Sequence, residues 1–298
     1  MIFSLSALPS PGKATTFQFN GDRFTLPFEM VNDYMAVEGK VNGVSGKLIF
    51  DSSYETALRL NSNRIKNLGP STSQAKAAKK LTKVTIGPAK FSQTLENVTG
   101  STYFNASFME SRMGKDFLGW IGFDYFSAGI VKLDFKAKQI TFYRNTANRS
   151  QEKDFLKGEQ ILATIPFETR KLRGIPIVQA QIGSEIFGGA FTTGQKGTLF
   201  MSSEARQRLL DEEALTRLSE TGDSGMGNLF SVRVNKIAIG DFASSSTLEP
   251  LDSFDQPEPA KEAIGITEPN LIYLGTKFLS QYKTVWDYSA KKIYLLKR

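Results

Sequence analysis

The stretch that decides the fold is LIFDSS at residues 48–53, together with its weaker echo AFTTG at residues 190–194. Each stretch ends a short apolar run that follows a turn, and small or polar residues come next. Asp51 and Thr192 correspond at an offset of 141 (192 − 51). This pair of loops indicates two copies of one structural unit.

Other segments recur in the same order along the two halves of the chain. The offset rises to 153 (236 − 83) after the central loops, which predicts an insertion at that place in the second copy. The matching segments are TLPFE at 25–29 with TIPFE at 164–168, KVTIG at 83–87 with KIAIG at 236–240, WIG at 120–122 with YLG at 273–275, VKLDF at 131–135 with TVWDY at 284–288, and KQITF at 138–142 with KKIYL at 291–295. Ordered echoes of this kind indicate an internal duplication.

Most of these segments are typical of strands. Asn42 and Gly43 separate two alternating runs, which is a strong hairpin signal, and Gly183 and Ser184 take the same place in the second copy. The insertion instead predicts a helix over about 202–218, because it opens on Ser and Glu and carries Leu at helical spacing. The class is therefore all-β with a few short helices.

The repeats also predict the domain boundaries. An N-terminal extension is expected over 1–19, a first lobe over 20–145, a linker over 146–159 and a second lobe over 160–298. At 298 residues the chain is long enough for two domains with separate cores.

Two absences restrict the chemistry more than any residue that is present. The chain has no Cys, which excludes disulfides, thiolate chemistry and cysteine-ligated zinc. It has no His, which excludes histidine-based triads and histidine-ligated metals. No cofactor or metal site is predicted, and a hydrolase of this composition would rely on carboxylates.

The charge and hydropathy give weaker indications. The net charge is +7, but the basic residues are scattered, so a solvated surface is expected rather than a nucleic-acid partner. No apolar run approaches the length of a membrane span. The opening MIFSLSALP lacks the features of a signal peptide. The protein is therefore expected in the cytoplasm, or in the periplasm or outside the cell if a signal peptide has been removed.

At this point the ordered motifs resemble a known family. A strand hairpin ending in Asp and small residues, a Gly-Pro hairpin, GWIGFDYF at 119–126 and the strands that follow are similar to one lobe of the pepsin/retropepsin-like aspartic proteases. The resemblance implies a bilobal pepsin/retropepsin-like acid-protease β-barrel fold with an internal pseudo-twofold duplication. It also implies a cleft between the lobes that takes a peptide or an unfolded protein segment.

The same resemblance assigns roles to the first central loop. Asp51 stands at the position of the catalytic Asp of lobe one, Ser52 at the supporting Ser or Thr, and Ser53 at the family Gly. The absence of a Cβ on that Gly lets backbone approach closely, and Ser fits there only with adjustment.

The second loop departs at the catalytic position itself. Thr192 stands where the second Asp belongs, while Thr193 and Gly194 keep the rest of the signature. The Thr192 hydroxyl is expected to hydrogen-bond across the lobe interface toward Asp51. The family chemistry needs two carboxylates that share one proton, and Thr cannot take part in that exchange.

Three functions follow from this degenerate pair. The chain is expected to be a non-catalytic or very weak aspartic-peptidase homologue that binds peptide. It could instead be an active endopeptidase that uses Asp51 with an unrecognised acid partner, or a structural or assembly protein with a closed cleft. Glu55 and Glu185 are the candidate replacement carboxylates, but they lie past or before the loops rather than in them.

Overall fold

The computed structural model describes residues 16–55, 58–66, 79–95, 103–223, 228–250 and 258–298. The first half contains the strands β1 (Thr16–Gln18), β2 (Arg23–Pro27), β3 (Glu29–Val31), β4 (Tyr34–Val41), β5 (Val44–Phe50), β6 (Leu58–Asn61), β7 (Lys79–Ile86), β8 (Ala89–Leu95), β9 (Tyr103–Phe104), β10 (Phe117–Ile121), β11 (Gly129–Asp134) and β12 (Gln139–Arg144), with the helices α1 (Ser107–Met113) and α2 (Phe123–Phe126).

The second half repeats this plan. It contains α3 (Ala147–Glu152), β13 (Ile161–Pro166), β14 (Ile177–Ile182), β15 (Glu185–Phe191), β16 (Thr198–Phe200), α4 (Ser203–Asp211), β17 (Leu215–Asp223), β18 (Asn228–Ile239), β19 (Phe242–Pro250), α5 (Glu258–Ile264), β20 (Asn270–Leu274), α6 (Thr276–Leu279), β21 (Lys283–Asp287) and β22 (Lys292–Leu296). The expectation of an all-β class with few short helices is confirmed.

One sheet belongs to each half of the chain. In the first half the strand order is β1-β8-β7-β4-β5-β10-β6-β9, with β3 paired to β4, and in the second half it is β14-β15-β20-β16-β19-β18-β17. Asn42 and Gly43 form the turn between β4 and β5, with φ values of 49° and 84°. Both values lie in the left-handed region, which suits Asn and Gly, so the sequence-predicted hairpin is confirmed.

A third sheet joins the two halves, in the order β13-β22-β21-β11-β12-β2. At its centre Lys132 lies opposite Val285 in an antiparallel pair. These two residues correspond at the repeat offset of 153 (285 − 132). Because each residue pairs with its own repeat partner, a pseudo-twofold axis passes between them. The two halves that are duplicated in the sequence are thus related by a rotation of about 180° in the structure.

The insertion in the second half differs from its expectation. The helix predicted over about 202–218 is shorter and comprises α4 alone, which begins after the capping residue Ser202. The chain reverses at Glu213, whose φ of 56° cannot continue a helix. Leu215 is buried, but it is the first residue of β17 rather than part of the helix, and it pairs with Val234 of β18.

The predicted extension and linker are in part ordered elements. Residues 1–15 of the extension lie outside the described residues, while β1 pairs antiparallel with β8. The linker segment contains α3 and a short 3-10 turn, in which Phe155 and Leu156 are buried. They pack against strands of the joining sheet, including Tyr143 and Tyr294.

The interior is apolar and continuous across the molecule. One cluster extends from the first sheet through the joining sheet to the second, and includes Phe50, Phe126, Phe191 and Trp286. Phe126 and Phe191 each meet the Trp286 ring edge-on, at 5.9 and 6.2 Å between centroids. The two loops that follow Phe50 and Phe191 are therefore anchored on one shared core. Within the described ranges, no helix is long and apolar enough to cross a bilayer.

Candidate functional site

The two central loops take equivalent places in the two halves. Asp51 follows β5, which runs parallel to β10, and its N–H donates to the carbonyl of Ile121 at 2.9 Å. Thr192 follows β15, which runs parallel to β20, and its N–H donates to the carbonyl of Leu274 at 3.3 Å. The structure therefore brings together the two positions that the repeat aligned.

Three hydrogen bonds join the loops across the pseudo-twofold axis. The Ser52 N–H donates to Thr193 Oγ1 at 2.9 Å, and the Thr193 N–H donates to Ser52 Oγ at 3.2 Å. The Thr193 hydroxyl donates in turn to the carbonyl of Phe50 at 2.8 Å. Ser52 and Thr193 are both fully buried, so these groups have no water to replace a lost partner.

Asp51 is held by its own loop. The N–H of Ser53 donates to Asp51 Oδ1 at 2.9 Å, and the Ser53 hydroxyl donates to the same oxygen at 2.6 Å. Burial raises the pKa of the Asp51 carboxyl, although the bonds from Ser53 and the charge of Arg59 act in the opposite direction. The carboxyl is therefore protonated more readily than an Asp in water.

Thr192 makes the same hydrogen bond within its loop as Asp51 does, although it has no carboxyl. Its Oγ1 accepts a hydrogen bond from the N–H of Gly194 at 3.0 Å, as Asp51 accepts from Ser53. This bond stays within the loop, whereas the sequence suggested a bond across the interface toward Asp51. The crossing bonds come from the next residue, Thr193, because that side chain faces the opposite loop.

The Asp51 carboxyl lies directly against the backbone of the opposite loop. A Cβ placed on Gly194 would be 2.2 Å from Oδ1 and 2.3 Å from Cγ of Asp51. Neither Gly194 nor Ser53 has a positive φ. The requirement for Gly at residue 194 is therefore one of space for the carboxyl, not of backbone conformation.

An ionic contact flanks each central loop. The two loop residues that make these contacts, Glu55 and Lys196, occupy equivalent positions but carry opposite charges. On one side Glu55 Oε1 accepts from the N–H of Gly174 at 2.9 Å, and Arg173 lies 3.5 Å from Glu55. On the other side Lys196 lies 2.9 Å from Asp33. Glu55 and Lys196 each stand four residues after their loop position, Asp51 or Thr192 (55 − 51 and 196 − 192).

Both candidate replacement carboxylates have other partners. Glu55 is used in the contact with Gly174 and Arg173. Glu185 lies 2.6 Å from Arg208 and accepts from the side-chain amide of Asn270 at 3.0 Å. Both carboxylates are therefore engaged with residues other than Asp51.

The charge of a residue that the sequence did not single out acts on Asp51. Arg59 on β6 has its guanidinium carbon 3.9 Å from the ring centroid of Phe104, 5.2 Å from that of Trp120 and 5.6 Å from that of Tyr54. An Arg between Leu58 and Leu60 is typical of the solvent face of a strand. The aromatic partners come from other elements, so no local pattern could have indicated them.

Comparison with known proteins supports the architecture. No family model matches the chain, and no curated protein matches it. Among solved structures, basic 7S globulin from soybean superposes with a TM-score of 0.52 and 12% identity, over 92% of this chain and 95% of that one. An aspartic proteinase from Irpex lacteus gives a TM-score of 0.48 and 13% identity, over 92% and 97% of the two chains.

The soybean match extends over nearly the whole of both chains, and it agrees with the strand content, the two repeated halves and the joining sheet described above. At such low identity it bears on the architecture alone. The chain has the pepsin-like aspartic-protease fold.

Proposed function

We propose that this protein is a catalytically impaired homologue of the pepsin-like proteases that binds an extended peptide in a cleft between its lobes. The observation that carries the proposal is which residues are kept and which are replaced in the two central loops. Asp51 and its opposite glycine, Gly194, are both present, while Thr192 and Ser53 replace the other carboxyl and the other glycine.

The chemistry of the fold needs both carboxyls. When two carboxyls share one proton, the ionised one draws a proton from water and the protonated one donates to the scissile carbonyl. The Thr192 hydroxyl is neither acidic enough to donate in this way nor able to carry the charge. Loss of a general acid or base alone costs about 10²–10⁴ in rate.

The two replacements support each other. The pseudo-twofold axis relates Ser53 to Gly194 at the offset of 141 (194 − 53), and Gly194 gives the Asp51 carboxyl its space. A carboxyl at residue 192 would accordingly be directed at the Cβ of Ser53. One complete half of the catalytic arrangement is kept, and both parts of the other half are replaced. This pattern favours loss of catalysis over a dyad rebuilt with Glu55 or Glu185.

Retention of the peptide site is the second part of the proposal. The loops remain joined by the bonds of Ser52 and Thr193, so the floor between the lobes keeps its shape without a second carboxyl. An extended peptide could add to the strands around such a floor through main-chain hydrogen bonds, with side-chain pockets selecting the sequence.

The test is to incubate the protein with a random octapeptide library at about pH 4 and about pH 7. Bound peptides are recovered after size exclusion, and the whole library is examined by mass spectrometry. The proposal predicts a retained subset of peptides and no new termini. Cleavage products would favour the endopeptidase, and absence of any retained peptide would favour an assembly protein with a closed cleft.

A further inference from the structure

Arg59 pairs with Trp120 on β10, the residue before Ile121, whose carbonyl accepts from the N–H of Asp51. On β6 its neighbours Leu58 and Leu60 are fully buried in the main core, and Arg59 points to the opposite face of the sheet. Trp120 lies directly across on β10 and belongs to a smaller apolar cluster on that face. A charged side chain is thus placed on an apolar surface rather than in open solvent.

Aromatic rings fix the orientation of the Arg59 guanidinium. Phe104 and Trp120 stack on each other at 5.5 Å between centroids with an angle of 29° between their planes. The Arg59 guanidinium lies over the ring of Phe104, and the ring of Tyr54 is also within cation–π distance of it. A cation over such faces is stabilised by the ring quadrupoles, and the planar group loses its freedom to rotate before any ligand arrives.

The guanidinium still has hydrogen bonds to give. Its Nε is buried and has no hydrogen-bond partner. Within the described part of the chain, no ion pair or hydrogen bond of this group is present beyond the ring contacts and the longer-range attraction of Asp51 and Tyr54. A buried donor without a partner is costly, so the position of Arg59 is not explained by hydrogen bonds within the described residues.

We propose that Arg59 is the receptor for a carboxylate of the peptide that binds in the cleft, an inference that rests on the proposed function. The carboxylate belongs either to an Asp or Glu side chain or to the C-terminus of the peptide. A planar guanidinium matches a carboxylate through two parallel hydrogen bonds.

The experiment measures affinity by fluorescence anisotropy. Octapeptides retained from the library are resynthesised with each Asp or Glu changed to Asn or Gln, and with the C-terminus free or amidated. They are titrated into the wild-type protein and the variants Arg59→Met, Arg59→Lys and Arg112→Met. Arg112 is an exposed residue of α1, so its replacement removes the same charge from the same lobe.

We expect neutralisation of one carboxylate to weaken binding to the wild type by about 10- to 100-fold. The same neutralisation should have no effect in Arg59→Met and a smaller effect in Arg59→Lys, which keeps the charge but not the paired donors. Arg112→Met should bind like the wild type. If the Asp-to-Asn or Glu-to-Gln peptides lose affinity, Arg59 binds a side-chain carboxylate. If the amidated peptides lose affinity, it binds the C-terminal carboxylate.

Two results would overturn the inference. If retained peptides bind equally well with and without their carboxylates, Arg59 is not the receptor, while the peptide-binding function stands. If no peptide is retained by any form, the proposed function fails and the inference with it. Circular dichroism of Arg59→Met shows that a loss of binding does not reflect unfolding.

Discussion

The carboxyl of Asp51 occupies the space that a side chain on Gly194 would need, with 2.2 Å between Oδ1 and the position of the missing Cβ. The two residues belong to different halves of the chain and lie 143 positions apart (194 − 51). A carboxyl in one loop is thus accommodated by a glycine in the other. By the repeat offset of 141 (192 − 51 and 194 − 53), Thr192 and Ser53 are the counterparts of these two residues.

The first prediction concerns that space. Gly194→Ala should lower the free energy of unfolding by about 1–3 kcal/mol, because the added methyl displaces a carboxyl that Ser53 holds by two bonds. Chemical denaturation gives the change. In the Asp51→Ala background the same substitution should cost much less, and additive effects in this double-mutant cycle would show that the residues do not share the space.

The bonds that cross between the loops give the second prediction. Thr193→Val keeps the shape but leaves the Ser52 N–H and the Phe50 carbonyl without their partner. Each orphaned buried group costs about 1–3 kcal/mol, so the free energy of unfolding should fall clearly. Thr25→Val is the control, since its bond to Thr141 is exposed and should contribute within about 0.5 kcal/mol. Equal effects of the two variants would mean that the crossing bonds do not hold the loops.

A third prediction follows from the raised pKa of Asp51. The fold binds the proton of this carboxyl more tightly than the unfolded chain does. Its contribution to stability is therefore full below the unfolded pKa of about 3.9 and is lost as the pH rises through the higher folded value. Asp51→Asn should stabilise the protein at pH 7 relative to wild type, by about 1.4 kcal/mol for each tenfold difference in proton affinity, and this gain should shrink toward pH 3.

Asp33 supplies the opposite sign as a control for that measurement. Burial acts to raise the pKa of Asp33, but Lys196 and Lys277 together lower it by more, so its pKa is below the usual value. Its contribution is present above the unfolded pKa and is lost as the pH falls through the lower folded value. Asp33→Asn should cost up to about 1 kcal/mol at pH 7 and little in strong acid, as expected for a partly exposed pair. Parallel pH profiles for the two variants would contradict these assignments.

The fourth prediction is a gain of activity. Thr192→Asp alone should be inactive, because the new carboxyl meets the Ser53 side chain, and Ser53→Gly alone should be inactive for lack of a second acid. The double variant restores both the carboxyl and its space and should cleave peptides that the wild type only binds. Activity in Thr192→Asp alone would show that the Ser at residue 53 does not obstruct the second carboxyl.

Much of this arrangement could be predicted from the sequence because the two halves still resemble each other. The echoes placed Asp51 and Thr192 at equivalent positions, and Asn42 with Gly43 gave the hairpin, since left-handed turns restrict which residues can be used. The length of α4 could not be predicted, because Leu215 fits a helical spacing and a strand equally well. Its place is decided by pairing with β18.

The details of the site depended on contacts between distant segments. The direction of the Thr192 hydroxyl is set by the N–H of Gly194 in its own loop. The orientation of Arg59 is set by rings from β9 and β10 and by Tyr54. Neither can be obtained from local periodicity, which fixes the face of a strand but not what lies over it.

The loss of catalysis is tested most simply by a cleavage assay at about pH 3.5 with unfolded casein. The wild-type protein is compared with Asp51→Asn and with pepsin as a positive control. Neither form of this protein is expected to release new amino termini, while pepsin does. Cleavage by the wild-type protein that disappears in Asp51→Asn would contradict this expectation, and would show that a single retained aspartate is enough for catalysis in this fold.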